Sequence, residues 1–127
     1  MIRLPVMFLG VLATAAAATS AYAHPKLVAA SPAANATVAS PQRIMLRFTK
    51  RLLPKFSSAD LVMTDMPGMR MKVPMKIATS SLIRGTDGKS LMVIPAKPLA
   101  RGTYKLSWRV VAGDTHRVTG GHAFTVK

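Results

Sequence analysis

The chain reads as an all-β sandwich of about seven short strands. Three observations carry that reading. Turn-forming residues recur roughly every 8–12 positions. Several segments between them alternate apolar and polar residues with a period of two. No stretch shows the three-to-four spacing of an amphipathic helix, and no internal repeat appears.

Taken in order, Lys26 to Ala30 is short and apolar enough for a first strand, and Ser31 to Ser40, rich in Ala, Ser, Asn and Pro, reads as a loop. Ile44, Leu46 and Phe48 alternate with Arg43, Met45 and Arg47, the pattern of a half-buried strand with a charged outer face. Lys50 to Ser58 holds Pro54 and is expected to turn over the sheet. Asp60 to Thr64 is a further apolar run. Asp65 to Pro74 is expected to be irregular, turning at Pro67-Gly68. Met75 to Ile83 resumes an extended pattern, Thr86-Asp87-Gly88 reads as a hairpin turn, and Leu91 to Ile94 as a buried strand. Pro95, Pro98 and Gly102 mark the next connection. The clearest strand is Thr103 to Ala112, with Tyr104, Leu106, Trp108 and Val110 on one face and Lys105, Ser107 and Arg109 on the other. Gly113 to Gly121 is expected to be a loop. Ala123 to Lys127 closes the chain with Phe124 and Val126 inward.

Residues 1–23 stand outside this fold. They carry an early positive charge, Arg3, an apolar run from Leu4 through Ala18, and a small-residue ending Ala21-Tyr22-Ala23, which together read as a secretory signal peptide. The apolar run falls short of the ~20 residues that span a bilayer, so no stable membrane insertion is expected once it is cut. The mature domain would be residues 24–127, with His24 first. Cysteine is absent, which excludes disulfides and thiolate metal sites. The chain has 18 Lys and Arg against four acidic residues, all Asp. Such charge suits nucleic acid, but the cations are scattered along strand faces and an exported protein rarely meets it. Attraction to an anionic membrane surface or an acidic partner stays open.

Three groups of residues could carry chemistry. A cut after Ala23 gives His24 a free amine beside its imidazole, and the two nitrogens can chelate one metal ion. Pro25 lacks an N–H, so the chelate stops there and needs partners from elsewhere. The plain alternative is that His24 is merely the residue after the cut. Asp114 and His116 are two apart and, in an extended segment, would aim at one point with Thr115 turned away; otherwise they are ordinary turn residues. His24, His116 and Asp114 together offer three nitrogens and a carboxylate oxygen, a set suited to tetragonal Cu(II). His122 shares parity with Phe124 and Val126 and so fits a core-capping role better than a ligand's. Met63, Met66, Met69, Met71 and Met75 fall within 13 residues. Soft thioethers in a loop suit Cu(I); a flexible patch for a partner or an oxidation-sensitive segment are the alternatives.

An exported chain opening His-Pro-Lys-Leu-Val resembles a known family when other motifs follow it. They are Leu61-Val62-Met63-Thr64 with Met66-Pro67-Gly68-Met69, then Gly102-Thr103-Tyr104, Trp108-Arg109, Asp114-Thr115-His116 and a terminal Phe-x-Val. The combination is similar to the CopC/PcoC family of periplasmic copper-resistance proteins, over essentially all of residues 24–127. The resemblance implies a cupredoxin-like or immunoglobulin-like Greek-key sandwich. It also implies a Cu(II) site from His24, Asp114 and His116, and a Cu(I) site on the methionine segment, mapping onto Met63, Met66, Met69 and Met75. Two departures stand out. Lys50 occupies a position where some relatives place a glutamate, and a histidine of some relatives' Cu(I) site is missing, with Met71 near its place. A purely thioether Cu(I) site follows.

The function implied is copper binding and hand-over in the periplasm without catalysis, with an inner-membrane copper transporter of the CopD kind or another periplasmic copper protein as partner. Two other classes compete. A copper-dependent oxidative enzyme would also use an N-terminal histidine brace, but the chain has one Trp, two Tyr and four Phe, too few aromatics for a glycan-binding face. A metal-free adhesive sandwich would show no response to copper.

Overall fold

Period-two burial decides which face of each strand meets the core. Ile44, Leu46 and Phe48 are buried while Arg47 between them is exposed, and Tyr104, Leu106, Trp108 and Val110 are buried while Lys105 is exposed. In the computed structural model, which describes residues 24–113 and 115–127, these and seven further strands form two facing sheets. The expected signal peptide, residues 1–23, and Asp114 lie outside the described residues.

The strands are β1 (Leu27–Ser31), β2 (Thr37–Val38), β3 (Ile44–Phe48), β4 (Ser58–Met66), β5 (Met69–Ile77), β6 (Thr79–Arg84), β7 (Ser90–Pro95), β8 (Gly102–Val111) and β9 (Arg117–Val126). One sheet has the order β1-β3-β7-β6, the other β2-β9-β8-β4-β5. Pairing is antiparallel except between β2 and β9. The all-β sandwich expected from the sequence is thus the observed architecture, with nine strands among the described residues rather than about seven. The core between the sheets joins Phe48, Leu61, Leu91, Leu106, Trp108 and Phe124, among others. Each such side chain contributes about 1.5–3 kcal/mol by leaving water.

Three segments differ from the expectations. The run Met75 to Ile83 is not one strand: it divides at Ala78, where the chain passes from one sheet to the other. The expected loop from Gly113 to Gly121 ends by His116, and β9 runs from Arg117 straight through Gly120 and Gly121. The glycines are there because of their neighbours. A Cβ on Gly120 would lie 2.6 Å from Cζ2 of Trp108, and one on Gly121 would lie 2.6 Å from the Leu106 carbonyl oxygen.

The third is Asp65 to Pro74, which forms most of a hairpin between β4 and β5 turned on Pro67-Gly68, with Gly68 at φ +76°. Its ladder is broken. Met63 pairs with Met75 and Asp65 with Arg70, so residues 71–74 stand opposite Thr64 alone. Pro74 is tolerated because β5 is a sheet edge. Thr64 is itself an extra residue against β8, where Met63 faces Tyr104 and Asp65 faces Thr103.

Candidate metal centre

The start of the described chain is anchored. Pro25 is fully buried. The Lys26 amide donates to Thr49 Oγ1 at 3.0 Å, and the Thr49 amide donates to the Lys26 carbonyl at 2.9 Å. These contacts fix His24 just ahead of β1, with its Nδ1 shielded from solvent. His116 arrives from the far end of the sequence. The Thr115 amide closes a turn on the Ala112 carbonyl at 2.9 Å, Thr115 adopts φ +64°, and His116 follows immediately before β9. The two imidazoles meet with ring centroids 5.1 Å apart and planes inclined at 47°. At that separation one nitrogen from each ring can reach a shared ion, given metal–nitrogen bonds of about 2 Å.

The predicted aim of Asp114 and His116 rested on an extended segment with Thr115 turned away. The backbone at Thr115 is left-handed instead, so the two-residue parity does not operate there. Asp114 itself is outside the described residues. Among the described residues no three histidine or acidic side chains converge as a metal cluster.

The remaining carboxylates are committed elsewhere. Asp60 pairs with Arg109 at 2.9 Å, Asp65 with Arg70 at 3.7 Å and Asp87 with Arg47 at 2.8 Å. The Asp87 carboxyl is held below the ordinary aspartate range, chiefly by the Lys89 amide and then by the Arg47 guanidinium. Among the described residues, no aspartate is left unpaired to serve the histidines. Lys50, exposed and next to Thr49, adds positive charge on the side where the Lys26 backbone is held. His122 is placed apart: its Nε2 donates to the Pro32 carbonyl at 3.0 Å and its ring meets Trp108 edge-on at 5.6 Å. That is the core-capping position its parity suggested.

All five clustered methionines lie on β4 and β5, not in an irregular loop. Two cross-strand pairs organise them, Met63 with Met75 and Met66 with Met69. Residues directly opposite share a face. Met63 and Met66 are three apart and would face opposite sides of an ordinary strand. The extra residue at Thr64 restores their agreement, so both pairs turn to the same side. Met63 is buried, whereas Met66, Met69 and Met75 are 43%, 58% and 47% exposed. Met71 is half-buried, packs against the core to which Met63 belongs, and stands outside both cross-strand pairs. A cleft of about 460 Å³ adjoins Met63 and Met75, walled by Leu99, Pro98 and Tyr104. Burial raises the Tyr104 hydroxyl above its usual range, and that hydroxyl donates to the Ala100 carbonyl at 2.6 Å.

Sequence reasoning missed one feature near the histidines. A groove of about 590 Å³ is lined by Leu53, Phe56, Val111, Thr115 and Arg117. The only hint in the sequence is an aromatic residue, Phe56, two positions after Pro54 in a basic, turn-forming stretch.

Comparison with known proteins adds three findings. Residues 27–127 match the CopC domain family. The chain is 55% identical over 116 residues to copper resistance protein C of Xanthomonas campestris pv. juglandis, covering 91% of this chain and 90% of that protein. It is 47% identical over 110 residues to copper resistance protein C of Escherichia coli, covering 87% and 86%. The crystal structure of the Escherichia coli copper resistance protein PcoC superposes with a TM-score of 0.76 at 45% identity, over 80% of this chain and 99% of that one. CopC from Methylosinus trichosporium OB3b superposes with a TM-score of 0.68 at 32% identity, over 82% and 94%.

Proposed function

The chain belongs to the CopC family, and from that premise we propose that it is a copper-binding protein of copper resistance, acting in the periplasm as a carrier rather than an enzyme. Copper is its cargo. The observation that carries the reading to particular residues is the meeting of His24 and His116 at 5.1 Å, from positions 92 apart in the sequence.

Cu(II) would be held by the amine and imidazole of His24, the imidazole of His116 and the carboxylate of Asp114. Nitrogen and carboxylate donors favour Cu(II), and copper heads the affinity order among such ions. Removal of residues 1–23 creates the amine ligand, so an uncleaved chain has an incomplete site. Lys50 makes the surroundings less favourable to a cation, which suits release to a partner. Cu(I) would be held by thioethers of the Met63–Met75 and Met66–Met69 pairs. Met71 is the weakest member of the set, since it stands in the unpaired stretch of β5, outside both cross-strand methionine pairs. A periplasmic or inner-membrane copper protein would receive the ion.

Cu(II) titration followed by electron paramagnetic resonance tests the first site. A protein starting at His24 is compared with one carrying one extra residue before it. The extension is expected to weaken Cu(II) binding by at least tenfold, about 1.4 kcal/mol or more. Equal affinity in the two proteins removes the amine from the site. Reductant-dependent sugar oxidation or sustained peroxide production by the copper-loaded protein would overturn the carrier reading.

A further inference from the structure

We propose that the groove of Leu53, Phe56, Val111, Thr115 and Arg117 is a binding site for a small organic carboxylate with an apolar body, linked to copper through His116. The site itself does not depend on copper; only the linkage rests on the copper reading above.

The groove is built before any ligand arrives. One wall is the 3-10 turn Pro54–Phe56, clipped to the end of β8 at several points. The Leu53 amide donates to the Val111 carbonyl at 2.8 Å, the Val111 amide donates to Ser57 Oγ at 3.1 Å, and Leu52 bridges Ala112. Its volume of about 590 Å³ is in the range of small-molecule sites, roughly 300–1,000 Å³. Three of its five lining residues are apolar, and one of them, Phe56, is 62% exposed. An aromatic ring held in that position loses contact with water only if something lies on it.

The polar end of the groove is cationic. Arg117 is exposed, and Lys55 stands on the same 3-10 turn as Phe56. Among the described residues, every Asp carboxylate is paired with Arg47, Arg70 or Arg109, and none pairs with Arg117. A guanidinium grips a carboxylate through two parallel hydrogen bonds. A carboxylate at this end with a ring or branched chain on Leu53, Phe56 and Val111 matches both parts.

His116 lies between Thr115 and Arg117, the two polar lining residues. A ligand gripped by Arg117 restrains the backbone next to His116, which meets His24. Copper binding then loses less freedom at that segment, and by reciprocity copper strengthens the carboxylate's hold to the same degree.

Amide chemical shifts of the metal-free protein, titrated with sodium benzoate, test the site. Benzoate is expected to move Leu53, Phe56, Val111, Thr115 and Arg117 with a Kd of about 1 mM, as befits so small a ligand. Acetate, with charge but no ring, and benzyl alcohol, with a ring but no charge, should each bind at least several-fold more weakly. Arg117→Gln and Phe56→Ser alter exposed residues and should each weaken benzoate severalfold with the rest of the spectrum unchanged, while Arg101→Gln should not. Shifts spread over the cationic surface, or benzoate shifts unaltered by Arg117→Gln and Phe56→Ser, overturn the site. Cu(II) titration in saturating benzoate, against acetate at equal concentration, tests the linkage. A rise in affinity of about fivefold is expected, and equal affinity in the two salts overturns it.

Discussion

Thr115 is held at φ +64°, a region that a β-branched side chain enters only under strain, at a cost of about 1–3 kcal/mol. The turn to the Ala112 carbonyl keeps it there, and the return is the position of His116 against His24. Asparagine tolerates this conformation and changes the unfolded chain's freedom little. Thr115→Asn is therefore expected to stabilise the metal-free protein by about 0.5–1 kcal/mol in urea unfolding, with the Cu(II) spectrum unchanged. Gly120 presents the opposite case. Its missing Cβ leaves room for the Trp108 ring, which is also bounded by Phe48 and His122. The ring cannot retreat without disturbing both neighbours. Gly120→Ala should cost about 1–3 kcal/mol and shift the emission of the single tryptophan. Neither requirement can be read from neighbouring residues in the sequence. The first needs the turn and the second needs the partner strand.

At the scale of elements, the β4–β5 hairpin decides which methionines can act together. The extra residue at Thr64 turns Met63 and Met66 to one side, and their partners Met75 and Met69 follow. Met71 sits in the unpaired stretch and packs inward. Binding of Ag(I), a redox-inert stand-in for Cu(I), should fall at least tenfold in the double variant Met66→Leu, Met69→Leu. It should change less than twofold in Met71→Leu, with isothermal titration calorimetry as the measurement. Leucine replaces the thioether at nearly constant volume, so folding is little affected. Strands such as β3 and β8 were legible because one buried face imposes a period of two. The hairpin was only half legible: Pro67-Gly68 announced its turn, but the bulge and the broken ladder erase the period on either side. The N-terminal half of β9 was hidden because Gly120 and Gly121 answer to Trp108 and Leu106, not to a turn. The pairing of His24 with His116 was reached through the cleavage motif and the family resemblance. No local pattern joins residues 92 apart. The groove beside them, assembled from a 3-10 turn and the end of a strand, left only Phe56 as a hint.

At the scale of the whole molecule, a formal charge of +14 goes with only four acidic residues, and removal of Arg3 with the expected signal peptide would still leave +13. Two electrostatic terms oppose each other. The ion pairs of Asp60, Asp65 and Asp87 are partly exposed, and solvent screening keeps the contribution of such pairs small. The repulsion among the many cations acts over longer distances and favours the expanded chain. Raising ionic strength from about 0.01 M to about 0.15 M shortens the screening length from roughly 30 Å to roughly 8 Å. That removes most of the long-range repulsion and leaves contacts near 3 Å largely intact. The melting temperature of the metal-free protein should therefore rise with added salt, and a fall would show that the ion pairs dominate. Acid exposes the other term. Asp87 has a folded-state pKa below its unfolded value, so its contribution is present above the unfolded value and is lost as pH falls through the folded one. The Asp87 contribution should persist above about pH 4 and be lost below it, seen as a falling melting temperature in acid. In Asp87→Asn the Lys89 amide keeps an acceptor but Arg47 loses its counter-charge. That variant should melt lower than the parent at neutral pH and converge on it in acid, because the parent's carboxylate is by then protonated. A constant gap between the two at every pH would assign the loss to packing in the Thr86–Gly88 turn instead of to charge.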